Sequence, residues 1–277
     1  QGGLWVSSLY DGVFFVPNFN VKKYEFSKEK PNTKVSLLTV HNNHLYAGLP
    51  DNSILEIDTD FKNVTYNGIK EPSDIDAIIF DEQGRPFSNF DAAARWAKGL
   101  SVFTKIINIT KDTFLVGGSS GYGFFAQGKC IYSGVVERGL FKRVTGLCQL
   151  INNKFRIGTA SGLYVFTDRG KFNLQEDTVF KNQRITACKL LGRGVYAIGT
   201  RGRGVYIYKG DKHFEINENR GLVSNLIEDI FFENDSTLWV GTYKGLCRVW
   251  FSLGKDSLLT KITTYTAEDG LCSNQVN

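Results

Sequence analysis

Two groups of residues in this 277-residue sequence have types and spacings that could carry chemistry. His41 and His44 are close enough to share a metal ion, and Arg201-Gly202-Arg203-Gly204 is a basic, glycine-rich stretch that could contact an anion. Each group falls between two apolar runs and no helix pattern follows it, so ordinary turns are the favoured interpretation and ligand sites the alternatives. H-E-x-x-H and phosphate-loop patterns are absent from the sequence. We therefore predict no catalytic residue, no metal and no cofactor.

The five cysteines do not form a disulfide or zinc pattern. Their number is odd, and the sequence contains no C-x-x-C pair. Cys148 and Cys188 lie within apolar, strand-like runs, where a free cysteine behaves as a small hydrophobic residue. We therefore expect both to be free, buried thiols.

The composition excludes several classes of protein. The net charge is +5 and the basic residues are dispersed, so we expect no nucleic-acid partner. No run of 18 apolar residues could span a membrane. Glycine is frequent (29 residues) and 13% of the residues are aromatic, which favours short strands joined by tight turns. An all-β fold is the first expectation.

A repeated motif sets the positions of the turns. The stretch LWVGT at 238–242 has counterparts along the chain, spaced 41, 69, 41, 41 and 42 residues apart. The residues at the position of its Trp are Trp5, Tyr46, Leu115, Arg156, Ala197 and Trp239. A period near 41 residues is typical of the blades of a β-propeller.

Each repeat contains four strand patterns. An apolar run is followed by the LWVGT-type strand, by a strand opening with Gly-Leu or Gly-Val, and by a more polar strand, as in a four-stranded blade. The 69-residue interval must contain one more unit, between residues 74 and 103, with an enlarged loop at 90–99. We therefore predict an all-β fold, a seven-bladed β-propeller of four-stranded antiparallel blades, as a single domain over residues 1–277.

The two ends of the sequence predict how the ring closes. The chain begins within a second-strand motif, and its last residues, GLCSNQVN, match GLVSNLI at 221–227, which precedes an innermost strand. We expect residues 270–277 to pair with residues 4–8 and complete the N-terminal blade, which removes a free sheet edge. A start inside a strand also indicates a piece of a longer, multidomain protein.

The repeated residues themselves predict structure rather than chemistry. The Trp or its substitute should fill the gap between blades, and the glycine that opens the third strand should adopt positive φ. Ser224 and Asn225, and likewise Ser273 and Asn274, should bond local backbone in turns. Function is therefore expected in the turns that the repeat does not fix.

The turns between the second and third strands meet on one face of a propeller, around the mouth of its channel. Here they carry aromatic rings beside charged side chains, which suit a sugar or a protein partner. The candidate ligand-binding residues are Tyr10, Asp11, Arg95, Trp96, Tyr122, Arg201, Arg203, Tyr243 and Lys244. Solvated turns without a ligand are the alternative.

The pattern GLVSNLIEDIFFENDSTLWVGTYKGLCRV, followed by ITTYTAEDGLCSNQVN, resembles the two-component regulator propeller repeat. Residues 2–16 and 155–166 also resemble it, whereas 50–130 do so weakly. That family forms the extracytoplasmic sensor portion of bacterial membrane histidine kinases, including hybrid sensors of Bacteroidetes. The resemblance implies a non-catalytic periplasmic sensor, part of a membrane-anchored protein, that responds to glycans and starts a phosphorelay.

The resemblance also implies the partners of the chain. They are an oligosaccharide ligand, adjacent domains of the same protein that receive the signal, and a second copy in a homodimer. Two alternatives stay open: a structural or protein-interaction propeller of a cell-surface or secretion accessory protein, and a propeller glycan lyase or hydrolase. A kinase core encoded after this segment would favour the sensor, and cleavage of a polysaccharide would favour the enzyme.

Overall fold

Antiparallel strands form nearly all of the regular structure in the computed structural model of the chain. It describes residues 4–8, 12–16, 22–24, 34–57, 63–67, 78–80, 84–88, 103–110, 113–119, 121–126, 129–134, 143–149, 154–166, 174–192, 194–210, 212–253, 257–271 and 273–276. The helices among these residues are 3₁₀ helices of three residues each, at Thr178–Phe180, Glu218–Arg220 and Ala267–Asp269. None of them has the length and apolar character needed to span a membrane.

Five sheets are four-stranded blades in which consecutive strands pair as antiparallel hairpins. The first two comprise β4 (Leu37–His41), β5 (His44–Gly48), β6 (Ser53–Ile57) and β7 (Asn63–Asn67), and β10 (Phe103–Thr110), β11 (Thr113–Gly118), β12 (Tyr122–Ala126) and β13 (Lys129–Gly134). The next comprises β14 (Val144–Gln149), β15 (Phe155–Thr159), β16 (Gly162–Phe166) and β17 (Leu174–Glu176). The last two comprise β18 (Ile185–Gly192), β19 (Val195–Thr200), β20 (Val205–Lys209) and β21 (Lys212–Ile216), and β22 (Ile227–Asn234), β23 (Thr237–Thr242), β24 (Gly245–Leu253) and β25 (Ser257–Tyr265).

The prediction of seven four-stranded blades is wrong, because five blades have this form among the described residues. The N-terminal strands β1 (Leu4–Ser8), β2 (Gly12–Val16) and β3 (Lys22–Tyr24) form a three-stranded sheet, and β8 (Ile78–Phe80) pairs only with β9 (Pro86–Ser88). The 69-residue interval is shorter than two 41-residue repeats, and the described residues of its extra unit form the two-stranded sheet of β8 and β9. Its predicted third strand at 99–103 falls largely outside the described residues.

The C-terminal segment packs on the last blade. The Val276 N–H donates to the Thr242 carbonyl at 3.0 Å, and Leu271 and Val276 pack against Trp239. Among the described strand pairs, β1 pairs with β2 and with no other strand, so the predicted pairing of residues 270–277 with residues 4–8 is not found.

The first glycine of three LWVGT-type motifs permits close approach of the next blade. A Cβ added to Gly117 would lie 2.3 Å from Val144 Cγ1, and one added to Gly158 would lie 2.5 Å from Ile185 Cγ2. A Cβ added to Gly199 would likewise lie 2.9 Å from Ile227 Cγ2. Val144, Ile185 and Ile227 are the first residues of the innermost strands β14, β18 and β22. A glycine is therefore required at the motif position, because a side chain there would collide with the following blade.

The large side chain of the motif packs between blades, as predicted, at Arg156, whereas the ring contact of Trp239 lies within its own blade. Trp239 is buried and packs on Tyr265 at a ring distance of 5.7 Å. At the same position, the Arg156 guanidinium lies 5.0 Å from the Tyr196 ring of the next blade and binds Asp177 at 2.8 Å. These positions are therefore structural.

The motif threonine fixes the turn that follows it. The Thr242 hydroxyl donates to the Gly245 carbonyl at 2.7 Å and accepts the Lys244 N–H at 3.1 Å. Thr200 makes the same pair of bonds with Gly204 and Arg203. The positive φ predicted for the glycine that opens the third strand is confirmed at Gly204 (78°) and Gly245 (150°) but is wrong at Gly162, which does not adopt it.

The predicted local hydrogen bonds of the Ser-Asn pairs are also confirmed. The Ser224 hydroxyl accepts the Leu226 N–H at 3.1 Å, and the Asn225 side-chain oxygen accepts the Glu218 N–H at 2.8 Å. Asn274 accepts the Ala267 N–H at 2.7 Å in the same way. The amide side chains therefore hold the 3₁₀ helices that lead from one blade to the next.

The expectation of free thiols at Cys148 and Cys188 is wrong. The two residues form a disulfide between the innermost strands β14 and β18, with their Cα atoms 5.6 Å apart. The sequence could not show this pairing because the two cysteines belong to different blades and meet only when the blades pack. Cys247 is a free, buried thiol and Cys130 a free, exposed one.

Candidate functional site

A central channel runs between the sheets and contains a cavity of about 470 Å³. Its wall is formed chiefly by innermost strands, which come from sheets spread along the whole sequence. The lining residues are Ser7, Ser36, Leu37, Leu38, Thr39, Val40, Leu45, Lys105, Thr186, Lys189, Glu228, Asp229, Ile230 and Phe231. A second cavity of about 240 Å³ shares several of these residues, including Lys105, Thr186, Lys189 and Asp229.

Charged side chains concentrate where β18 and β22 line the channel. Lys189 Nζ lies 3.4 Å from Asp229 Oδ1, and Arg201 Nη2 donates to Glu228 Oε1 at 3.3 Å. Burial raises the pKa of Glu228, and the positive charges of Arg201 and Arg184 oppose that rise. A half-buried carboxylate in the channel wall thus contacts Arg201, and the charge of Arg184 also acts on it.

The register of the blades explains why these side chains reach the channel. The first residue of each innermost strand pairs with the last residue of the second strand of the same blade. Residues that follow it on the innermost strand line the channel. In three blades the residue just before the one that pairs with the motif glycine carries a hydroxyl. These hydroxyls, of Ser36, Thr104 and Thr145, donate to backbone carbonyls of their own or the next blade. At the same position Thr186 has no hydrogen-bond partner for its buried hydroxyl among the described residues, and Glu228 meets Arg201.

Four of the predicted ligand-binding residues lie in turns on the Glu228 side of the channel. Arg201 and Arg203 follow β19, and the Arg203 guanidinium donates to the Val179 carbonyl at 3.3 Å. Tyr243 and Lys244 follow β23, where Tyr243 is 48% exposed and its N–H donates to Leu226 at 3.1 Å. All four residues are exposed, and Arg201 contacts Glu228, which lines the channel cavity.

Tyr122 lies at the start of β12 rather than in an exposed loop. Its side chain is 2% exposed, and its ring packs on Phe166 and Tyr132. Burial raises the pKa of the Tyr122 hydroxyl above its ordinary value, and a hydrogen bond with Tyr132 raises it further. Its ring therefore belongs to the packing between blades. Tyr10, Asp11, Arg95 and Trp96 lie outside the described residues.

The histidine pair does not form a metal site. His41 stacks on Phe80 with a ring distance of 3.8 Å, and His44 Nδ1 binds Glu56 at 2.6 Å, so the two imidazoles have separate partners. No group of three His, Cys, Asp or Glu side chains able to hold a metal occurs within the described part of the chain.

One further stretch has the spacing of a catalytic motif. Residues 117–121, GGSSG, match the G-x-S-x-G pattern of a nucleophile elbow. That elbow requires a strand followed by a helix, whereas Ser119 lies in a hairpin between β11 and β12, closed by a bond from Gly118 N–H to the Gly121 carbonyl at 2.7 Å. The match is therefore a turn.

The sequence interpretation missed the charged residues of the channel. Lys189, Glu228 and Asp229 lie in the runs ITACKLLG and LIEDIFFE, which the sequence pattern predicts as apolar strands. The signal that could have found them is the charge itself, because the innermost strand of a propeller faces the channel with alternate residues. Lys105, in FTKIINIT, follows the same logic.

Comparisons with known proteins give one related sequence and a shared fold. No family model matches the chain. Over 180 residues, 56% of this chain, it is 27% identical to Histidine kinase P4 of Formosa agariphila, and the match covers 13% of that kinase. The chain thus corresponds to a small part of that curated relative.

Three solved structures share the fold at low sequence identity. Two are of the extracellular domain of the two-component or one-component system BT4673 from B. thetaiotaomicron. They have TM-scores of 0.65 and 0.68 and identities of 18% and 16%, over 99% and 100% of this chain and 46% and 50% of those chains. The third is virginiamycin B lyase from Staphylococcus aureus, with a TM-score of 0.69 and 13% identity over 87% of this chain and 88% of the lyase. The chain spans about half the length of the BT4673 structures, and all three likenesses establish an all-β propeller fold.

Proposed function

We propose that the chain is the non-catalytic, periplasmic sensor propeller of a membrane-anchored two-component histidine kinase. It binds a glycan-derived ligand at the face that carries Arg201, Arg203, Tyr243 and Lys244, and it relays binding to other domains of the same protein. The similarity to Histidine kinase P4 over 180 residues carries this proposal. The fold shared with two extracellular domains of BT4673 supports it.

The chemistry of the channel face supports a sugar-like ligand. Tyr243 presents a half-exposed ring, which suits the apolar face of a pyranose. The nearby charged groups of Lys244, Arg203 and Glu228 suit its hydroxyl groups, since each can donate or accept hydrogen bonds. These side chains stand on turns whose backbones are fixed by Thr200 and Thr242, so little ordering is needed on binding.

An enzyme on the same fold is the alternative that the lyase likeness raises. Virginiamycin B lyase shares the propeller with similar overlap, so the fold does not separate a sensor from an enzyme. Incubation of the chain with candidate polysaccharides distinguishes them. We expect binding without cleavage, and release of shortened or unsaturated products would replace the sensor proposal.

Binding to an array of oligosaccharides, followed by calorimetry on the best ligand, tests the ligand proposal. We expect Arg203→Ala and Tyr243→Ala each to weaken binding by about tenfold, since each removes one contact worth about 1–2 kcal/mol. Ile131→Ala is the matched control, because Ile131 is 64% exposed on the outer strand β13. Absence of any bound saccharide, or equal binding by all variants, would contradict the proposal.

The sensor assignment has its own test in the gene. A transmembrane helix and a kinase core encoded beyond this segment are expected. A continuation that encodes neither would remove the kinase from the proposal and leave a propeller of another kind.

A further inference from the structure

The turn between β19 and β20 lies on a surface that three consecutive blades share. The Arg201 N–H of this turn donates to the Arg184 carbonyl at 2.9 Å, and the Gly202 N–H donates to the Asn225 carbonyl at 3.0 Å. These bonds join the turn to the connection that precedes its blade and to the connection that follows it. We call the three joined segments the basic surface. They are the turn at 201–204 and the connections at 178–184 and 217–226.

The exposed charges of the basic surface are almost all positive. Six of its side chains are both charged and exposed, and five of the six are cations. The cations are Lys181, Arg184, Arg201, Arg203 and Arg220, and the carboxylate is Glu218. Two partly buried carboxylates lie beside them. Asp177 binds Arg156 at 2.8 Å, whereas Glu228 binds Arg201 at 3.3 Å and also interacts with the charge of Arg184. The cations therefore outnumber the carboxylates that could neutralise them.

Three of the five cations have no carboxylate of their own. Lys181 and Arg220 form no ion pair among the residues that the structure describes. Arg203 donates to the uncharged Val179 carbonyl at 3.3 Å, which holds the guanidinium in place without neutralising it. Glu218 accepts a backbone N–H of its own connection at 3.0 Å, so its carboxylate serves the local fold. Positive charge thus remains available to a ligand.

The repeat does not require arginine in this turn. The turn after the second strand contains no arginine in the other four-stranded blades, where it reads LPDN at 49–52, SSG at 119–121, AS at 160–161 and YK at 243–244. The Thr200 hydroxyl fixes the turn through the Gly204 carbonyl and the Arg203 N–H, which are backbone groups. The arginine side chains are therefore free to serve recognition, as loop residues on a rigid scaffold commonly do.

We propose that the basic surface binds an acidic oligosaccharide through the carboxylate or sulfate groups of its sugars. This inference rests on the proposed function and narrows its ligand from glycans in general to those that carry negative charge. The planar guanidinium presents paired donors that suit such oxyanions, and clustered positive charge attracts them from a distance. Tyr243, whose N–H donates to the Leu226 carbonyl at the edge of the surface, offers a half-exposed ring to a sugar.

Calorimetric titration of the chain with two matched pairs of saccharides tests this inference. The first pair is tetragalacturonate and its methyl ester, and the second is sulfated maltotetraose and maltotetraose. In each pair the sugar rings are the same and only one member is charged. The two pairs distinguish a carboxylate from a sulfate as the group that is recognised. Polyglutamate tests whether a polyanion without sugar rings suffices.

Two triple variants separate the position of the charges from their number. The first removes three cations of the basic surface and leaves the proposed ligand residues intact. It is Lys181→Gln/Arg184→Gln/Arg220→Gln. The control removes three exposed cations at or beside the hairpins at the opposite end of the blades. It is Lys129→Gln/Lys154→Gln/Lys212→Gln. Both variants lose the same net charge, and thermal melting of each reports whether it is folded.

The acidic member of at least one pair is expected to bind at least about tenfold more tightly than its neutral partner, because hydrogen bonds between charged groups are the stronger ones. Its affinity should fall at least about tenfold in the basic-surface variant and stay unchanged in the control. The affinity of the unmodified chain should also fall between about 0.1 M and about 1 M NaCl, since the Debye length shrinks from about 10 Å to about 3 Å. The salt series needs no variant to fold.

Several results would overturn this inference. They are equal affinity within both pairs, equal losses in the two triple variants, affinity that salt does not change, and polyglutamate binding as tight as that of the acidic saccharide. Failure of the proposed function is distinguishable from these results. If a neutral saccharide bound with dependence on Arg203 and Tyr243 while neither acid was preferred, the proposed function would stand without this inference. Absence of binding by every saccharide would overturn both.

Discussion

Gly158 and Ile185 touch so closely that a Cβ on the glycine would lie 2.5 Å from Ile185 Cγ2. The contact joins the second strand of one blade to the first strand of the next. We expect Gly158→Ala to lower the free energy of unfolding by about 1–3 kcal/mol, because the added methyl group overpacks the interface. Equilibrium unfolding in denaturant measures this change in the free energy of unfolding.

Gly162→Ala is the matched control for that variant. A Cβ on Gly162 would meet its neighbours at 3.5 Å or more, which is ordinary contact. Its effect should stay within about 0.5 kcal/mol. Equal free energies of unfolding for the two variants would show that crowding between blades is not the reason for glycine at position 158.

The Cys148–Cys188 disulfide should contribute strongly to stability. It closes a loop of 40 residues between two blades, for which the chain-entropy model gives about 4 kcal/mol. We expect reduction, or the double variant Cys148→Ser/Cys188→Ser, to lower the denaturation midpoint. Cys130→Ser, at a free and exposed thiol, is the control and should change nothing. A midpoint insensitive to reductant would refute the bond.

The stability of the protein should depend on pH through Glu228. Burial raises the pKa of this carboxyl group above its unfolded value, so the folded state binds its proton more tightly. The stabilisation is complete below the unfolded pKa and is lost as pH rises through the folded pKa. The melting temperature of Glu228→Gln minus that of the wild type should therefore increase from pH 4 to pH 7.

Arg201→Gln provides the opposite test of the same group. Arg201 lowers the pKa of Glu228, so its removal should raise that pKa further and steepen the loss of stability with pH. Parallel pH profiles for the wild type and both variants would show that Glu228 does not titrate as the geometry requires.

The repeat and its structural roles could be predicted because they are local or periodic. The spacing of Trp239 and its counterparts identified a propeller, and the positive φ of Gly245 follows from its turn. The Ser224-Asn225 turn was predictable for the same reason, since both side chains bond backbone within seven residues. Hydrogen bonds between residues this close in the sequence can be predicted from the local residue types alone.

The number of complete blades and the channel residues were not predictable in the same way. The segment between β7 and β10 departs from the motif, so counting by period predicts a four-stranded blade where the described residues form two strands. Cys148 and Cys188, and likewise Lys189 and Asp229, meet across blades about 40 residues apart. Such contacts depend on how neighbouring repeats rotate against each other, which a single sequence does not specify.

Hydrogen–deuterium exchange with and without the best saccharide from the array tests most directly that the channel face is the ligand site. We expect slower exchange in the turn at 201–204, in the start of β22 at 227–230 and in the turn at 243–244 when the ligand is bound. The outer strand Lys129–Gly134 should exchange at the same rate in both states. Slower exchange confined to the outer strands, or no difference at saturating ligand, would contradict the account.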